Sequence, residues 1–210
     1  FMTGWISFFA GFSAPIAAAA LAFSDYLAYF WPSLKQSNAL FSLDIGITTL
    51  KLGGAQLAAC ALIALFTVLN FYGVKLVAAV QNTLTTTKVA VILGLIVFGL
   101  AFGDGDWSHF AQPAVRGSST PLPAQFLISL GTGLVALLYL GLNGVFLYAV
   151  PLEEMKGVIA IGSLAASKLF GPEIAGVFAL LMAVSLMSTV NAMVTIGPRV
   201  YYAMAKNGAF

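Results

Sequence analysis

Long apolar stretches alternate with short polar ones along the chain, and this alternation predicts its elements. Five apolar stretches stand out, at about residues 4–30, 54–71, 83–102, 126–150 and 173–205. A helix crossing a hydrocarbon layer needs about 20 residues at 1.5 Å each, so all five are expected to be transmembrane helices. The first ends in Tyr26, Tyr29, Phe30 and Trp31, an aromatic cluster suited to a membrane interface, and Pro32 then stops it. The last, at about 33 residues, exceeds the thickness of the layer and must tilt or project into water. Lys206, Asn207 and Gly208 form its stop signal.

The polar stretches predict the connections. Residues 32–52 are mixed and mildly amphipathic, and predict a loop with a short surface helix. Residues 72–82 read as a short connection carrying Lys75. Residues 103–123 are rich in Gly, Pro and Ser and predict a plain loop. A second polar stretch begins at Pro151, and residues 158–171 predict a short helix ending at Phe170 and Gly171.

Composition turns this pattern into a class. Hydrophobic residues make up 60% of the chain and charged residues only 8%, with a mean hydropathy of +1.00. Soluble domains carry about 25% charged residues, so these few charges leave the surface to lipid. The reading is an all-α, polytopic membrane helical bundle of about five transmembrane helices, forming one transmembrane domain over residues 1–210. The net charge of +2 is dispersed, without a basic run, which argues against nucleic acid as a partner.

Enzyme chemistry finds little to work with. Cys60 is the single cysteine and His109 the single histidine, which excludes an intrachain disulfide and a Cys/His metal cluster. Cys60 reads as a small buried hydrophobe. Asp104 and Asp106 alternate as metal ligands do, but they lack the further ligands of a calcium loop and read as solvated acids. Glu153 and Glu154 are adjacent, and neighbours on a helix do not converge. Phosphate-binding and metalloprotease motifs are absent. The chain therefore reads as a non-enzyme without metal or cofactor, either a transporter or a structural bundle.

Polar groups at membrane depth carry the sharper signal. Lys88 sits inside the apolar stretch 83–102, where a charged amine costs about 2.5–3.5 kcal/mol. Such residues face a protein interior or a water-filled path; alternatively, Lys88 snorkels to the headgroups. Ser188, Asn191 and Thr195 are spaced three and four apart and share one helix face. A polar stripe in lipid must face protein or water, which fits helix–helix hydrogen bonding and a transport pathway equally. The first stretch is dense in small residues, among them Ser13, Ala14, Ala17 and Ala18, which let backbones approach closely.

Four segments carry a family resemblance: GWISFFAGFSAPIAAAALAFSDYL, NFYGVKLVAAVQNTLTTTKV, LYLGLNGVFLYAVPLEEMKG and STVNAMVTIGPRVYYAMAKNG. Together they resemble the amino acid–polyamine–organocation superfamily of permeases, nearest to bacterial L-type-like amino acid permeases. The resemblance implies a fold of two inverted five-helix repeats plus two further helices. By similarity, the five stretches look like the third, fourth, fifth, seventh and eighth family helices. Helices before residue 1 and after residue 210 are expected to be missing. The sixth also looks deleted, which would join Leu130 to Gly131.

The resemblance implies secondary active amino acid transport across the cell (inner) membrane, proton-coupled or by exchange. The substrate is an amino acid, the surroundings are the lipid bilayer, and an accessory subunit is left open. Lys88 matches a lysine whose implied role is proton coupling or stabilising one conformation, since an amine in a low-dielectric site holds its proton less firmly. Ser188 and Thr189 match positions near that amine. Ser13, Ala17 and Asn191 are implied, weakly, to line the substrate pathway. In such transporters discontinuous helices hold the substrate near the midplane. In this family they are the first and sixth, so the chain by itself is expected not to transport. The alternative is a non-transporting membrane bundle or a truncated gene product.

Charge counting gives a conflicting topology. If all five stretches span, Lys75 falls opposite Arg199 and Lys206, whereas the resemblance places the three together on the inside.

Overall fold

The computed structural model describes residues 6–44, 49–111 and 134–208. A π-helical turn, Ser7–Ser13, leads into α1, Ala14–Leu27. Pro15 has no N–H to offer the Gly11 carbonyl, so regular helix starts only around it. A short 3₁₀ turn, Pro32–Leu34, is followed by strands β1, Ala39–Asp44, and β2, Thr49–Gly53. Then come α2, Gly54–Phe71, and α3, Val74–Phe102, followed by a 3₁₀ turn at Trp107–Ala111. After the undescribed interval lie α4, Leu134–Ala149, α5, Leu152–Met155, α6, Ile161–Phe170, and α7, Pro172–Lys206. The protein is thus a predominantly helical membrane bundle. Among the described residues, four helical spans, Phe9–Leu27, Gly54–Phe71, Val74–Phe102 and Pro172–Lys206, are long and apolar enough to cross a membrane.

Two expectations are corrected. Among the described residues of 32–52, helix is limited to the Pro32–Leu34 turn, and β1 and β2 pair antiparallel instead, with Phe41 opposite Leu52 and Asp44 opposite Thr49. β-Branched residues crowd positions 45–49, and Leu50, Lys51 and Leu52 alternate with period two, a strand pattern. Gly54 seats the start of α2 against the Pro32–Leu34 turn: a Cβ there would lie 2.7 Å from the Ser33 carbonyl oxygen. The second correction concerns residues 72–82. Only Tyr72 and Gly73, the latter at φ 107°, separate α2 from α3, so α3 starts nine residues before the expected 83. Residues 72–82 were expected as a connection carrying Lys75, yet polar residues such as Gln81 and Asn82 do not break a helix. Of the expected helix at 126–150, residues 126–133 lie outside the described residues, as does the expected join at Leu130 and Gly131.

The described residues fall into two compact units. The first comprises residues 1–89 and 179–210. In its core Ala19 and Ala20 of α1 meet Ala59, Leu62 and Phe66 of α2 and Val190 of α7, with Val80 and Leu84 of α3 packed alongside. Three alanines at these contacts let the helices come close, the packing that lipid favours. Lipid is as apolar as leucine, so outward positions stay apolar at no cost. Leu57 and Phe71 are accordingly exposed. So is Cys60, contrary to the expected burial; it lies on the outward side of α2.

The second unit comprises residues 90–178. Leu95, Val145, Tyr148, Val150, Ala165 and Leu169 form its core. The segment after α3 is tied down by backbone bonds from the Asp104 N–H to Leu169 O (3.2 Å) and the Asp106 N–H to Tyr148 O (2.9 Å). A Cβ on Gly105 would run into the Tyr148 ring, so the segment can lie this close only with glycine there. Trp107 packs on the same ring at 4.7 Å between centroids. Glu154 pairs with Lys168 at 2.9 Å and Glu153 with Lys156 at 2.7 Å, surface pairs that contribute little.

Asp106 does structural work in this segment. Its Oδ1 accepts from the Ser108 N–H at 2.8 Å and its Oδ2 from the Ser108 hydroxyl at 2.6 Å. These bonds hold its carboxyl below the usual carboxylate range. A depressed carboxyl stabilises the fold above its unfolded pKa, about 3.9 for Asp, and the contribution fades as pH falls through the lower folded value. The Ser108 amide resonance is therefore expected to hold its position down to about pH 4 and move only below that, and Asp106→Asn removes the transition. Separately, Phe66→Ala empties the largest fully buried side chain. It is expected to destabilise the first unit by about 3–5 kcal/mol, read from thermal melts in detergent.

Candidate functional site

The site lies in the first unit, along the seam between α3 and α7. The two helices run antiparallel there: Gln81 faces Ser188 and Asn191, while Val74, at the start of α3, shares a cavity with Arg199, near the end of α7. Gln81, Thr85 and Lys88 stand at i, i+4 and i+7, one face of α3. Ser188 and Asn191, three apart, form the answering face of α7. A seam of this kind meets the demand of lipid, since polar side chains in hydrocarbon must find partners within the protein.

Lys88 Nζ donates to Thr189 Oγ1 at 3.0 Å. The side chain of a helical residue points back toward the helix N-terminus, so the amine reaches α7 below its own level, toward Gln81. Lys88 is half-buried, and among the described residues no carboxylate pairs with it. Asp25, an acid of the same unit, is bound to Gln36. The amine is thus held by a single hydroxyl.

Ser188 does not serve the amine. Its Oγ lies 3.1 Å from Gln81 Nε2 and 3.1 Å from Thr85 Oγ1. Gln81 Nε2 also donates to Thr85 Oγ1 at 3.0 Å, and Gln81 Oε1 accepts from Asn191 Nδ2 at 2.7 Å. Asn191 is buried, 1% exposed, yet its Oδ1 has no hydrogen-bond partner among the described residues. Beside this cluster, Val74, Val77, Gln81, Thr195, Ile196 and Arg199 line a cavity of about 230 Å³. Ser13 and Ala17 occupy exposed positions at the start of the first span.

Sequence reading missed Gln81, the residue that joins the cluster, because residues 72–82 were read as a connection. The i, i+4, i+7 spacing with Thr85 and Lys88 was the signal available. The antiparallel pairing puts Lys75, in the first turn of α3, at the same end of this unit as Arg199.

Residues 123–210 match the amino acid permease family. That stretch, under half of the chain, is similar to amino acid permeases. The match includes Ser188, Thr189 and Asn191 and leaves Gln81 and Lys88 outside, so the hydrogen bonds across the seam tie the matched and unmatched parts of the first unit together. A search of curated proteins found no match. The match over residues 123–210 and, among the described residues, four helices of membrane length support a multi-pass membrane protein of the transporter class.

Interhelical hydrogen bonds in membranes contribute about 0.6 kcal/mol on average and about 1.7 at most. Asn191→Ala removes one such bond together with an unsatisfied oxygen. It is expected to lower stability by no more than about 1 kcal/mol, in a reversible detergent-unfolding titration.

Proposed function

We propose that the chain is part of a secondary active amino acid transporter of the cell (inner) membrane, with the inverted-repeat fold, working by proton coupling or exchange. The observation that carries this reading is the Lys88–Thr189 bond, a charged amine held by a single hydroxyl between two membrane-length helices. An amine so placed can bridge α3 and α7 in one state and release α7 in another, and proton loss would favour release. The permease match over α7 supports the same reading.

The roles follow from position. Lys88 is the coupling group and Thr189 its acceptor. Ser188 acts one step removed, holding the α7 backbone beside that acceptor. Asn191 offers an open, buried oxygen that suits a substrate ammonium. Ser13 and Ala17 contribute small surfaces to the pathway. Lys75 and Arg199 gather at one end of the first unit, and Lys206 lies beyond Arg199 on the same helix; the positive-inside rule makes that end cytoplasmic.

Uptake of labelled amino acids into proteoliposomes under an imposed pH gradient tests this. Saturable uptake is expected, lowered about a hundredfold or more in Lys88→Met, the scale of losing a proton-transferring group. Lys88→Arg keeps the charge but cannot release its proton. Loss of uptake in that variant supports proton coupling, and retention supports a purely conformational role. No saturable uptake by the 210-residue chain would favour the second reading, a non-transporting bundle.

A further inference from the structure

Gln81 has the widest set of partners in the seam. Its carboxamide engages Asn191 through Oε1 and both Ser188 and Thr85 through Nε2. Ser188 and Asn191 flank Thr189 in sequence and lie one helical turn apart, so bonding both from one side chain constrains α7 in rotation and in translation. A slide of one residue along α7 would turn it by about 100°, given 3.6 residues per turn, and would carry Thr189 away from the Lys88 amine. Neither the Lys88–Thr189 bond nor apolar packing can supply that constraint alone. The first is a single contact from a flexible four-carbon stem, and lipid-facing helices slide without hydrophobic penalty.

We infer that Gln81 is a positioning residue: by holding Ser188 and Asn191 at once, it sets the register of α7 against α3 and keeps Thr189 within reach of the Lys88 amine. Its importance for transport rests on the reading that Lys88 is the coupling group; its effect on Lys88 does not. Thr85 completes the clamp from within α3, sharing the Ser188 hydroxyl with Gln81.

The test is acylation of the Lys88 amine in the full chain, reconstituted in lipid nanodiscs and read by mass spectrometry. Gln81→Leu is expected to speed Lys88 labelling about fivefold or more, the factor that goes with losing an ordinary buried hydrogen bond. Thr189→Val is expected to do the same. In the double variant the two effects should not multiply, since Gln81 acts through Thr189. The reciprocal exchange, Gln81→Asn with Asn191→Gln, rebuilds the amide pair and should return labelling toward the original rate. Unchanged labelling in Gln81→Leu, or effects that multiply fully with Thr189→Val, overturns the inference. If Gln81→Leu does not fold, Ser188→Ala takes its place, with the same expected rise and the same overturning result. Labelling that changes as expected in a chain without uptake leaves the inference standing and removes the transport reading; uptake with unaltered labelling does the reverse.

Discussion

Polar groups in hydrocarbon must find their partners inside the protein, and the α3–α7 seam is where this constraint acts most heavily. Gln81, Thr85, Lys88, Ser188, Thr189 and Asn191 would each be costly facing lipid. Brought face to face they satisfy one another at 2.7–3.1 Å. The remainder of the first unit is arranged around that seam. Alanines at the α1–α2 contact allow close helix packing, and Val80, Leu84, Met187 and Val194 bring the two seam helices against the same core. Outward surfaces are left apolar because lipid exerts no pressure to hide them.

Within the seam two kinds of polar contact play different parts. The amide–hydroxyl cluster around Gln81 is dense and largely saturated, so it resists sliding. The Lys88–Thr189 contact is single and involves a charge without a counter-ion among the described residues. A dense brace thus lies beside a charge held by one hydroxyl. The Oδ1 of Asn191 is the exception within the brace, a buried acceptor without a partner among the described residues.

Much of this was legible beforehand. The helix over 54–71, a short helix within 158–171 and the long final helix follow from apolar length and clear stop signals. Lys88 and the α7 stripe announced themselves as polar residues in apolar surroundings. Three features were misread, each for a physical reason. Residues 39–53 carry enough apolar character to mimic an amphipathic helix, while their β-branched content and period-two alternation pair them as a hairpin. Gln81 sits in a polar patch that looked like a loop, although nothing in it prevents a helix from passing through. Cys60 was assigned to the interior by an argument valid in water, where apolar means buried; in lipid the apolar outside is as comfortable as the core.

The sequence by itself determined that this chain lives in a membrane, which segments are helical there, and which residues are too polar to face lipid. It carried the permease resemblance as well. Only the tertiary structure decided who meets whom. Thr189, and not Ser188, receives the Lys88 amine, Ser188 and Asn191 are held by Gln81, and Lys75 and Arg199 lie at one end. Apolar length and spacing report the environment of a helix and its faces. Partnership between residues 100 positions apart depends on the direction and register in which two helices pack, and one residue of slide rotates a different side chain into place.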